Sequence, residues 1–100
     1  ARSREIFGAR RRLMIDGLRA LGFGVGFEPT GAFYILANAR HFSGDSLRFA
    51  YEILEQAHVA VTPGIAFGRN AEGYLRFSYS ASVGRIQEGL RRIGAFLARR

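Results

Sequence analysis

Arg76 stands alone among apolar and hydroxyl-bearing neighbours in Tyr74-Leu75-Arg76-Phe77-Ser78-Tyr79-Ser80, a run that alternates as a strand does. Alternation puts Leu75, Phe77 and Tyr79 on one face and Tyr74, Arg76 and Ser78 on the other. If the apolar set packs under helices, Arg76 points away from the core. A guanidinium is planar, permanently charged and forked. The chemistry open to it there is two-pronged capture of an anion, a carboxylate above all. The competing use of the same side chain is a structural ion pair with one of the chain's own glutamates.

Other chemistries are poorly supplied. His41 and His58 have no second histidine or carboxylate at ligand spacing, so no metal site is expected. There is no cysteine, hence no disulfide framework and no thiolate ligand, a composition that fits the cytoplasm. All 15 basic residues are arginine. Without a lysine the chain has no side-chain amine for a Schiff base, and no catalytic residue is assigned within it.

Residues 21–28, LGFGVGFE, invite comparison with the basic-Gly-aromatic signature of single-stranded RNA binders. Leu21 stands where the basic residue belongs, Gly26 where valine belongs, and Glu28 where the last aromatic belongs. The glycines also precede a strand instead of following one, which argues against a dinucleotide loop. The net charge of +7 lies largely on the polar faces of helices, where solvated arginine is expected in any case. A basic α+β RNA-binding module is the alternative from another class; the leading expectation is no nucleic-acid partner. No apolar run approaches the ~20 residues of a membrane span, so no membrane partner is expected either.

The elements that must position Arg76 follow from periodicity. One hundred residues, 48% hydrophobic with nine Phe and four Tyr, describe a single compact domain. Residues 3–21 place Ile6, Phe7, Leu13, Met14, Leu18 and Leu21 on one helical face, with Gly22 as the C-cap. Two β-prone runs, FGVGFE and GAFYILAN, joined through Pro29-Thr30-Gly31, predict an antiparallel hairpin. Ser43, Asp45 or Ser46 caps a second helix reaching about Ala57, with Leu47, Ala50, Tyr51, Leu54 and Ala57 inward. The run VAV (59–61) reads as a short strand stopped by Pro63-Gly64, and RNAEG (69–73) as a turn into the Arg76 strand. Ser82 caps a last helix carrying Val83, Ile86, Leu90, Ile93 and Leu97 at the 3.6 period. The order αββαββα predicts an α+β fold, helices packed on one face of a small, largely antiparallel sheet.

Three motifs in this order, PTGAFYI, then LRFAYEILEQAHVAVTPGIAFG, then EGYLRFSYSASVGRIQEGLRRI, resemble the C-terminal segment of class I/II aminotransferases. These are pyridoxal-phosphate enzymes of fold type I with an aspartate-aminotransferase-like small domain. The resemblance runs from the helix RRRLMIDGL to the last helix, nearly the whole chain. It implies that residues 1–22 end an interdomain helix and residues 23–100 form the small domain, with the cofactor-binding large domain absent. It implies that Arg76 forms the two-pronged salt bridge to the substrate α-carboxylate, and that Phe33 and Tyr34 line the active-site side. The loop Thr62–Gly68 is expected to shape that surface without a catalytic role. The expected activity of the full-length protein is amino transfer from an α-amino acid to a 2-oxo acid, with pyridoxal 5'-phosphate as cofactor in a homodimer. The fragment alone is expected to be inactive and to bind no cofactor. A fold type I lyase or decarboxylase is the alternative among enzymes.

Overall fold

Three stretches of helical periodicity give three helices, and the runs between them give a small sheet. The computed structural model describes residues 2–26 and 33–100, with side chains from residue 5 onward. The order is α1 (Arg2–Leu21), β1 (Tyr34–Asn38), α2 (Ser46–Ala57), β2 (Thr62–Pro63), β3 (Tyr74–Ser78) and α3 (Val83–Arg99). Two 3-10 turns, Gly64–Phe67 and Arg69–Ala71, lie between β2 and β3. The sheet is β1-β3-β2 with both ladders antiparallel, so the strand carrying Arg76 is central. Its register sets Leu36 and Thr62 on either side of Arg76.

The core lies under one face. Ile35, Ala37, Leu75, Phe77 and Tyr79 turn inward to meet Met14 and Leu18 of α1, Phe49 and Ile53 of α2, and Ile86, Ile93 and Phe96 of α3. α1 stops where expected. Gly22 adopts φ +104, Phe23 donates its N–H to the Leu18 carbonyl at 3.0 Å, and Gly22 donates to that of Arg19 at 3.1 Å. This is the paired hydrogen-bond closure that a left-handed C-terminal glycine permits. The caps of the other helices are Asp45, accepting from the Arg48 N–H, and Ser82, accepting from that of Arg85.

Five expectations need correction. The inner face of α2 is Ser46, Phe49, Ala50, Ile53 and Ala57, whereas Leu47, Tyr51 and Leu54 are exposed. Both columns have helical spacing; the one bearing Phe49 wins because Phe42 and Phe96 are placed to receive its ring, with centroids at 5.9 and 6.3 Å. The strand expected at 59–61 forms instead at Thr62–Pro63, opposite Arg76 and Leu75. In α3 the inward column runs through Phe96, and Val83 faces solvent; at the other end of the chain Ile6 is exposed as well. Finally, the strand expected before the hairpin is, among the described residues, a single antiparallel bridge from Gly24 to Asn38. Its remainder and the Pro29-Thr30-Gly31 turn lie outside the described residues.

Candidate functional site

The face of the sheet turned away from the helices carries Tyr34, Leu36, Tyr74, Arg76 and Ser78, the residues alternate to the buried set. Arg76 is half-buried at the centre. Its guanidinium carbon lies 4.1 Å from the centroid of the Tyr34 ring and 4.7 Å from that of Phe67. Tyr34 reaches it from β1 on one side, and Phe67 from the turn following β2 on the other. One terminal nitrogen donates a long, 3.5 Å hydrogen bond to the hydroxyl of Thr62. Among the described residues no carboxylate pairs with it; the ion pairs join Glu88 to Arg91 and Arg92, and Glu52 to Arg100.

Beside the guanidinium lies an open depression of about 270 Å³ lined by Tyr34, Ala60, Val61, Thr62, Arg76 and Ser78. Complete small-molecule sites occupy roughly 300–1,000 Å³ and enclose most of the ligand. This depression, open to one side, has the size and chemistry to seat one charged end of a ligand.

Phe67 is held by the turn it ends. A Cβ on Gly64 would run into the carbonyl oxygen of Ala71, so backbone packs on backbone there and only glycine fits. The next residue, Ile65, donates its N–H to the Ser46 hydroxyl at 3.2 Å. Ser46 in turn is tied to Glu72, whose carboxylate accepts the N–H of Ser46 at 3.0 Å and that of Gly73 at 2.6 Å. The Ser46 hydroxyl, those two backbone N–H groups and the nearby charge of Arg40 hold the Glu72 carboxyl below its usual range. A carboxylate that accepts several hydrogen bonds stays ionised, because each bond favours the charged form.

Of the residues singled out from the sequence, Tyr34 and Arg76 come together. Phe33 goes elsewhere: its ring stacks on Phe7 of α1 with centroids 4.4 Å apart and meets Tyr79 edge-on at 6.2 Å. The loop Thr62–Gly68, expected only to shape this surface, supplies two neighbours of the guanidinium, Thr62 and Phe67. The available signal was that a lone arginine in mid-strand needs neighbours, and Phe67 ends the turn that edge strand β2 enters.

A family model described as aminotransferase class I and II matches residues 1–93. The chain is 42% identical over 91 residues to the (5-formylfuran-3-yl)methyl phosphate transaminase of Methanocaldococcus jannaschii, covering 91% of this chain and 24% of that protein. It is 39% identical over 92 residues to the valine–pyruvate aminotransferase of Mycobacterium tuberculosis, covering 91% and 24%. The solved aromatic aminotransferase of Pyrococcus horikoshii superposes with a TM-score of 0.91 at 35% identity, over 98% of this chain and 26% of that one. The chain thus spans about a quarter of the length of the relatives it matches.

Proposed function

This chain belongs to the class I and II aminotransferases, and we propose that it serves as the substrate-carboxylate-binding small domain of a longer enzyme of that family. On this reading residues 1–22 lead in from the cofactor-bearing large domain and residues 23–100 form the small one. The full protein moves an amino group from an α-amino acid to a 2-oxo acid, in the cytoplasm and as a homodimer. The observation that carries the reading is Arg76: a half-buried guanidinium flanked by two rings on an open sheet face, with no carboxylate partner among the described residues.

Pyridoxal phosphate, which the family implies, finds no anchoring amine in this chain, because every basic side chain is arginine. These residues do not make a cofactor site, and their part is confined to the substrate. Arg76 would take both oxygens of the α-carboxylate in parallel hydrogen bonds, fixing rotation at that end of the molecule. Both amino acid and 2-oxo acid carry that carboxylate, so one fork serves both halves of the exchange. Closure of the small domain over the substrate would then strengthen the pair by excluding water.

The full-length protein incubated with common L-amino acids and 2-oxoglutarate should form glutamate and the matching 2-oxo acid in equal amounts. Release of carbon dioxide or loss of the substrate side chain without glutamate would instead identify a decarboxylase or lyase on the same scaffold. No helix among the described residues is long and apolar enough to cross a membrane.

A further inference from the structure

We infer that Phe67 is a positioning residue for Arg76, closing with Tyr34 an aromatic clamp that holds the guanidinium plane and leaves its free edge to the carboxylate. The inference rests on the reading of Arg76 as the carboxylate fork. An arginine has many rotamers, and a two-pronged bond forms only in one plane. Something must fix that plane before substrate arrives. The usual device, a carboxylate beneath the guanidinium, is missing among the described residues, and the 3.5 Å contact to Thr62 is at the outer limit of a hydrogen bond. Among the described residues the supports in contact with the guanidinium are the two ring faces, at 4.1 and 4.7 Å, both within reach of a cation–π interaction.

The two rings are not equivalent. Tyr34 is on a strand, so the ladder to Ser78 fixes its backbone. Phe67 sits on a 3-10 turn and is 50% exposed, an apolar ring left half in water beside a cation. The turn is braced all the same, through the close packing of Gly64 on Ala71 and the bond from Ile65 to Ser46. A rings-only clamp also orients without neutralising. A structural glutamate would hold the fork equally well but occupy it, whereas the ring faces leave the in-plane nitrogens, apart from the long bond to Thr62, open to an incoming anion.

The test uses the full-length enzyme, the best donor among the common L-amino acids, and three variants: Phe67→Leu, Phe67→Tyr and Arg76→Ala. Leucine keeps an apolar side chain but has no π face; tyrosine keeps the face. Phe67→Leu should raise KM for the donor about 5-fold with kcat nearly unchanged, the scale of one cation–π contact. Phe67→Tyr should restore the parent KM, and all three variants should melt at the parent temperature. A parent KM in Phe67→Leu alongside a raised KM in Arg76→Ala would overturn the clamp and leave the fork standing. A parent KM in Arg76→Ala would overturn the fork itself.

Discussion

The buried hydroxyl of Ser46 accepts the N–H of Ile65 at 3.2 Å, tying the first turn of α2 to the loop that carries Phe67. A serine at the start of a helix is ordinarily a cap facing water. Here Asp45 takes the capping role and Ser46 turns inward, where Glu72 also reaches it. Replacing Ser46 with alanine strands the Ile65 N–H in a part-buried position and removes a hydrogen-bond partner of Glu72. The expected loss is about 1–2 kcal/mol, read from the denaturant midpoint at constant slope. A midpoint equal to the parent's would show that water replaces the hydroxyl at no cost.

Substitutions at Arg76 should alter substrate handling and leave folding alone. Arg76→Ala in the full-length enzyme should lose roughly 3 kcal/mol of transition-state stabilisation, or about 100-fold in kcat/KM, for every amino-acid donor alike. Arg76→Lys should recover only part of this, since an ammonium cannot make two parallel bonds. Steady-state kinetics across several donors checks both. A loss confined to acidic donors would move the arginine's role from the α-carboxylate to the side chain.

Glu88 sets an acid limit on α3. Hydrogen bonds from Arg91 and Arg92 depress its carboxyl from 4.5 to about 2. Because the folded value lies below the unfolded one, the contribution is fully present above about pH 4.5 and fades as the pH falls towards 2. Glu72, depressed in the same direction by Ser46 and Gly73, adds to the same acid limb. Glu88→Gln should therefore flatten the fall of stability below pH 4.5, and added salt should shrink the difference, since the pair faces solvent. Thermal melts from pH 7 to 2.5 would show it; parallel curves for parent and variant would disprove it.

The choice of inner face on α2 is also open to measurement. Phe49 is fully buried between Phe42 and Phe96, and Phe49→Ala should cost about 3–5 kcal/mol. Tyr51, 58% exposed, should tolerate alanine within about 0.5 kcal/mol. Comparable losses at the two positions in chemical denaturation would mean that the helix is rotated from the orientation seen here.

Much of this was legible in the sequence. The alternation of Leu75, Phe77 and Tyr79 against Tyr74, Arg76 and Ser78 specified which way the guanidinium points, because a strand has only two faces. The same logic weakens on α2. Leu47, Tyr51 and Leu54 match helical spacing as well as Phe49, Ile53 and Ala57 do, and only the partners waiting on α3 and at Phe42 decide between them. The clamp was less visible still. Phe67 lies nine positions before Arg76 in sequence, on a turn whose course depends on a tight backbone approach at Gly64 and on the inward hydroxyl of Ser46. Local pattern carries no record of such long-range contacts.

Strand β2 has only two residues, Thr62 and Pro63, and lies at the margin of the sheet. Proline has no N–H to give, and the chain curls into a 3-10 turn at the next residue. A stray β-segment approaching from that side would find almost no ladder to extend. On that flank this sheet offers little backbone to edge-to-edge pairing. Replacing Pro63 with valine would restore a donor there, and with it the hazard of recruiting neighbours in a crowded cell.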